Sequence, residues 1–214
     1  MNIVEKDLQL STIFGYPKVE GTLLFAEQDD LYYEILDRRE EMYPGSKSDP
    51  DYNYIREDWY RYHDYICVET FPQLQSLFPY IAECLDMVGD TYKDYYFKSW
   101  ANVWPKGQAI KEHRHYGTWH GNFLVHDTGT ETYYTDGDIA TKRKITALQN
   151  YTGHFVFMPS HILHWGQANP SDEIRVGNGF QLSTWDQVVF ESEDDQHSRG
   201  GKVKDIYVPL SDYV

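Results

Sequence analysis

The stretch ETYYTDGDIATKRKITALQNYTGHFVFMPS, residues 131–160, decides the fold. Short runs rich in β-branched and aromatic residues occupy Glu131 to Thr135, Lys144 to Leu148 and Phe155 to Met158. Turn signals separate them, DGD at 136–138 and NYTG at 150–153. Thr, Tyr, Val and Phe suit a pleated, half-buried surface, whereas Gly, Asn and Asp tolerate the backbone angles of tight turns. The same texture continues outward. Tyr95 to Trp104 and Gly121 to His126 lie upstream, the latter closed by TGT at 128–130. Ile174 to Thr184 lies downstream of NPSD at 169–172. Many short strands at this spacing predict an antiparallel sandwich or barrel.

The flanks read differently. Leu31, Ile35 and Leu36 stand at helical spacing between Glu27 and about Met42, in a dense charged background. Leu74, Leu77, Phe78, Ile81, Leu85 and Val88 repeat that spacing from Phe71 onward, and Gly89 is a helix stop. Tyr43 to Asn53, with Pro44, Gly45 and Pro50, reads as a loop. After Phe190, ESEDDQHSRGG is a charged linker, and Ile206 to Leu210 is an apolar segment expected to pack back on the body. These boundaries give a helical N-terminal extension at 1–93, a β core at 94–190 and a linker with tail at 191–214, all within one globular unit.

Composition narrows the partners. The chain has 214 residues, 34 acidic and 19 basic, for a net charge of −15. Duplex nucleic acid and anionic membranes would repel such a surface, which points instead to a small-molecule or peptide substrate. A hydrophobic share of 41% and an aromatic share of 16% are enough for a core. Cys67 and Cys84 make no disulfide framework, and Glu5, Lys6 and Asp7 interrupt any signal-peptide core. The expectation is a soluble, cytoplasmic protein, with a homodimer possible through the extension.

Seven of the nine histidines fall between His113 and His164. Neutral imidazole is the commonest metal ligand. On a strand, His113 and His115 would share one face with Cα atoms about 6.5–7 Å apart, and another strand must then supply a third ligand. His126, His154 and His161 read as structural.

The order of motifs sharpens this. Gly107, His113 and His115 form G-x5-H-x-H, and Gly153, Pro159 and His164 form G-x5-P-x4-H. Both resemble cupin half-motifs, although His120 replaces the first motif's glutamate and His161 the second motif's glycine. A fuller likeness starts at Trp100, Asn102 and Gly107, continues through His113 and His115 to Met158-Pro159-Ser160 and His164, and ends at Glu173-Ile174-Arg175. This series resembles the phage-type 2-oxoglutarate/iron(II)-dependent oxygenases.

The resemblance implies a double-stranded β-helix, or cupin-like jelly roll, holding Fe(II) and 2-oxoglutarate. It makes His113 and His164 metal ligands, with His115 where the family usually has a carboxylate; Asp127 is the alternative third ligand. Arg175 would clamp the far carboxylate of 2-oxoglutarate, and Asn102 would contact the keto acid or a metal-bound water. Gly177 stands where relatives carry a hydroxyl, which leaves Tyr95 or Tyr133 to supply one. Trp119 and His120, in a turn-rich stretch at the barrel mouth, are candidate substrate walls. The implied activity is that of a dioxygenase, with hydroxylation of the substrate expected. The alternatives are a three-histidine metal dioxygenase that does not use 2-oxoglutarate, and a non-catalytic barrel for binding or assembly.

Overall fold

A computed structural model describes residues 1–42, 71–92, 94–137, 144–191 and 207–212. The expected loop at 43–53, Cys67 and most of the expected linker lie outside these residues. The N-terminal strands are β1 (Ile3–Ile13) and β2 (Tyr16–Phe25), followed by helix α1 (Gln28–Met42). A 3-10 turn (Pro72–Leu77) leads into α2 (Phe78–Met87). The central strands are β3 (Tyr96–Trp104), β4 (Trp119–His126), β5 (Glu131–Thr135) and β6 (Ile145–Gln149). Then come β7 (His154–Pro159), β8 (Leu163–Gly166) and β9 (Arg175–Ser183). Helix α3 covers 185–191, and β10 (Val208–Pro209) ends the order.

Seven strands form one antiparallel sheet in the order β1-β2-β7-β4-β9-β3-β10, and three form a smaller one in the order β6-β5-β8. Side-chain alternation gives the large sheet two different faces. Phe97, Ala101 and Val103 of β3, Phe123 and Val125 of β4, and Val176, Phe180 and Leu182 of β9 join one apolar cluster. Leu31 and Ile35 of α1 and Phe78, Ile81 and Leu85 of α2 complete that cluster, so the helices cover this face. The opposite residues, Trp100, Asn102 and Trp104 of β3 with Arg175 and Gly179 of β9, line a cavity shared with the small sheet. Strands β7 and β9 are buried along their whole length because both of their faces are covered.

The N-terminal extension contributes more than helices. Strands β1 and β2 form a hairpin whose second strand pairs with β7. Its two-residue turn carries Phe14 at φ 53° and Gly15 at φ 86°, the positive angles that match the strand twist. Phe14 sits in a region costly for a side chain, and its ring packs beside Ile13, Tyr134, Val156 and Ile162. At the other end of the chain, β10 pairs with β3 and Leu210 is buried, as the tail's apolar character predicts.

Among the described residues no helix is long and apolar enough to cross a membrane.

Candidate metal centre and its cavity

The H-x-H pair does not lie on a regular strand. Residues 111–118 are irregular, and His113 makes an isolated antiparallel bridge to His164 of β8. Its N–H donates to the His164 carbonyl at 3.0 Å and the reverse bond is 2.9 Å, while the His115 N–H donates to the Ser160 carbonyl at 3.0 Å. These backbone bonds, rather than strand alternation, bring the imidazoles together. Ligand atoms of His113, His115 and His164 all lie within 4.8 Å of one another.

The surroundings prepare them as donors. His113 Nδ1 lies 2.8 Å from the Lys111 carbonyl and His164 Nδ1 lies 3.1 Å from the Ile162 carbonyl. A carbonyl partner places the ring proton on Nδ1 and leaves the Nε2 lone pair for a metal. Burial lowers the pKa of His113. Burial, reinforced by the neighbouring imidazoles, holds His115 and His164 well below the ordinary histidine value. Three neutral imidazoles with two carbonyl-fixed tautomers suit a first-row divalent ion.

Asp127 is not part of this group. Its Oδ2 accepts from the N–H groups of Gly129 (2.8 Å) and Thr130 (3.1 Å), and its Oδ1 accepts from the Thr130 hydroxyl at 2.7 Å. That oxygen also stands 3.0 Å from Arg175 Nε, with both side chains buried; the angle makes this an ion pair rather than a hydrogen bond. The alternative third ligand is thus committed to a turn and to the arginine. Glu173, two residues before Arg175, pairs instead with His126 at 3.3 Å.

Arg175 lies in the cavity wall with its guanidinium 4.5 Å from the Trp104 ring centre. Burial draws its pKa down to about 10, against the opposing pull of Asp127 and Tyr134, so it stays charged at neutral pH. With the Asn150 amide turned so that its oxygen faces Thr130 and Thr132, Arg175 Nη2 donates to that oxygen at 3.2 Å. Nη1 lies 3.5 Å from where a side chain on Gly166 would begin, so the glycine keeps the approach to this nitrogen open.

Other expected residues divide by strand face. Asn102 lines the cavity, while Ala101 faces the helices. Trp119 is corrected: it is 8% exposed, stacks on Phe157 at 5.1 Å and donates its indole N–H to Asp90, on the helix side of the sheet. It is the first residue of β4 and alternates with Phe123 and Val125 into the core, so it is no substrate wall. His120, its neighbour, faces the cavity. The hydroxyl candidates are corrected too. The Tyr95 hydroxyl donates to Asp90 and the Tyr133 hydroxyl to Glu131, and neither residue lines the cavity. Tyr134 and Thr132 do. Tyr134 is buried; burial raises its pKa and Arg175 pulls it the other way, which puts the phenol within electrostatic reach of the guanidinium. His126, His154 and His161 have ring or carboxylate neighbours outside the cavity.

No family model and no curated protein matches the chain. Solved structures do match in fold. The non-heme α-ketoglutarate-dependent carbocyclase SnoK of nogalamycin biosynthesis aligns with a TM-score of 0.52 at 14% identity, over 78% of this chain and 80% of that one. A Pseudomonas putida prolyl-4-hydroxylase aligns with a TM-score of 0.52 at 11% identity, over 79% of this chain and 93% of that one. The carbocyclase is α-ketoglutarate dependent, as are the oxygenases that the motifs resemble. The shared fold is the double-stranded β-helix expected from the sequence.

Proposed function

We propose that the chain is an Fe(II)- and 2-oxoglutarate-dependent oxygenase that hydroxylates a small molecule or peptide. The observation that supports this reading best is one cavity lined both by three clustered imidazoles, His113, His115 and His164, and by a buried guanidinium, Arg175. A metal-binding barrel needs the first; a dicarboxylate cosubstrate needs the second.

In this reading His113, His115 and His164 hold the iron. Arg175 receives the far carboxylate of the keto acid through Nη1, and the Tyr134 hydroxyl adds a donor beside it. Asn102 reaches the same cavity from β3. When bound, iron and 2-oxoglutarate together supply the reduction of O2 coupled to decarboxylation of the keto acid to succinate. The chain's own part is orientation and exclusion of water: Trp100, Trp104 and Trp165 wall the cavity, and Gly179 makes room for Trp100, whose indole lies 2.6 Å from where a Cβ would stand.

A three-histidine centre without 2-oxoglutarate is the second reading, favoured because no carboxylate among the described residues joins the cluster. Anaerobic titration of metal-free protein with Fe(II) and 2-oxoglutarate separates the two. The visible charge-transfer band of an iron–keto acid chelate is expected, absent in His164→Ala and needing more 2-oxoglutarate in Arg175→Lys. Iron uptake without the band transfers support to the second reading. Failure to take up iron overturns both.

A further inference from the structure

Strand β1 ends the large sheet, and among the described residues no strand pairs with its outer side. It is 11 residues long and only Ile13 is buried, while Val4 is 64% and Leu10 50% exposed. Sheet edges are ordinarily guarded by proline, an exposed lysine, a bulge or a short length. β1 holds no proline, and its one register irregularity lies at its start, between Ile3 and Glu5. Its single lysine does not guard the edge either. Lys6 is turned onto α2, where its Nζ donates to Glu83 and lies 5.6 Å from the Tyr80 ring centre.

The hairpin fixes which backbone groups point outward. Ile13 and Tyr16 close its two-residue turn, so they form a hydrogen-bonded pair, and such pairs recur at every second residue. Ser11, Gln9 and Asp7 therefore bond to β2. Thr12, Leu10, Leu8 and Lys6 direct their N–H and C=O groups away from the sheet.

The charge pattern makes this edge complementary to itself. Opposed residues of an antiparallel pair share a face, so a dyad normal to the sheet sets one residue against its own copy. A dyad at Glu5, Lys6 or Asp7 opposes like charges, which is destabilising. A dyad at Leu8 opposes none and overlaps the whole strand: Ile3 faces Ile13, Lys6 faces Leu10, Asp7 faces Gln9 and Leu8 faces Leu8. Moving the dyad to Gln9 also avoids like charges but leaves Ile3 and Val4 without partners. The Leu8 register also places outward backbone groups against outward ones, Leu8 on Leu8 and Lys6 on Leu10. We propose that β1 pairs with β1 of a second copy in this register, joining two seven-stranded sheets into one across a homodimer. No β1 residue lines the metal cavity, so the inference stands apart from the oxygenase reading.

The test is sedimentation velocity of the full chain over a concentration series. Wild type is expected to form a dimer. Leu8→Pro removes one outward N–H and leaves the bonds to β2 alone; it is expected to weaken the dimer by roughly tenfold or more. If that variant fails to fold by circular dichroism, Leu10→Lys takes its place, because it sets a second lysine against Lys6 of the other copy. Leu10→Glu sets a carboxylate there instead and is expected to dimerise about tenfold more tightly than Leu10→Lys. Register is read by mild oxidation in a Cys67→Ser background, Cys84 being buried. Leu8→Cys places two thiols across the dyad, at a Cα separation of about 5.5 Å that a disulfide spans. Leu10→Cys leaves its two copies four residues apart along the strands, about 14 Å. The first is expected to cross-link and the second is not. Wild type that stays monomeric overturns the proposal and leaves the edge to a different partner. A dimer unmoved by the edge variants, equal behaviour of Leu10→Lys and Leu10→Glu, or cross-linking of Leu10→Cys as readily as Leu8→Cys overturns it too.

Discussion

Arg175 Nε stands 3.0 Å from Asp127 Oδ1, and the Asp127 side chain is completely shut away from solvent. Asp127 also closes the turn after β4 through Gly129 and Thr130, so one carboxylate fixes both the turn and the orientation of the guanidinium. Removing it leaves a buried cation without its partner. Asp127→Ala is expected to cost about 3–5 kcal/mol in urea unfolding. Asp127→Asn, which keeps an oxygen for the turn, should cost less and take up Co(II) with wild-type affinity. A Co(II) affinity that falls with Asp127→Asn would return this residue to the ligand set.

Tyr133 and Tyr134 are adjacent but lie on opposite faces of β5, one bonded to Glu131 outside and one buried beside Arg175. If the Tyr134 phenol donates to the cosubstrate carboxylate, Tyr134→Phe loses a hydrogen bond to a charged group, worth about 1.5–3 kcal/mol. The 2-oxoglutarate dissociation constant should then rise by roughly ten- to a hundredfold, with iron uptake unchanged. Tyr133→Phe should bind as wild type does. Equal effects of the two substitutions, measured by anaerobic titration, would remove Tyr134 from the carboxylate site.

That pair also marks how far the sequence could be read. Strands β3, β4, β7 and β9 were legible because each buries at least one face and so shows alternation or an apolar run, and β5 and β6 because β-branched and aromatic residues stand between turn signals. Strand β1 was not, because it is an edge strand exposed along nearly all its length and carries no two-residue pattern. Its partner did carry a signal: Val19, Leu23 and Phe25 stand at even intervals and all are buried. Trp119 had one as well, since it shares parity with Phe123 and Val125. The run Thr132-Tyr133-Tyr134-Thr135 offers no apolar alternation to fix its phase, so the inward tyrosine was not readable. The Arg175–Asp127 pair joins positions 48 residues apart, which local patterns cannot report. The three histidines were legible as a group, but a backbone bridge, not strand periodicity, brings them together.

Glu20 of β2 offers a test of how the hairpin is held to β7. Its Oε1 lies 3.1 Å from His154 Nε2, and its other oxygen accepts from Lys18. The His154 hydrogen bond is the strongest influence and, with Lys18, outweighs burial to bring the carboxyl from 4.5 down to about 2. A depressed carboxylate pKa contributes stability that is fully present above the unfolded value and lost as pH falls toward the folded one. The stability difference between wild type and Glu20→Gln is therefore expected to be constant above about pH 4.5 and to shrink as pH falls toward about 2. A difference independent of pH across that window would mean that the charge on Glu20 does not hold the hairpin.

The tail is tied to the cavity wall through a second buried charge pair. Lys98 Nζ donates to Glu191 at 2.5 Å, with the two side chains 6% and 10% exposed. Tyr207 donates to the same carboxylate, and Gln181 donates to Glu191 at 3.2 Å and to the Tyr207 hydroxyl at 2.8 Å. Burial pushes the Glu191 carboxyl up, but Lys98 and these donors outweigh it and hold it below its ordinary value. Lys98 also lies 5.9 Å from the Trp100 ring, which itself packs 5.1 Å from His115. Either Lys98→Met or Glu191→Leu strands one buried charge, at a cost of about 3–5 kcal/mol. The double variant strands neither, so it should be less destabilised than the two losses added, by about 0.5–3 kcal/mol in a double-mutant cycle. Near-ultraviolet circular dichroism of the Trp100 environment should follow the single variants, and Co(II) affinity should weaken with it through His115. Additive losses in urea unfolding would show instead that Lys98 and Glu191 are held independently, and that the tail contributes packing without charge coupling.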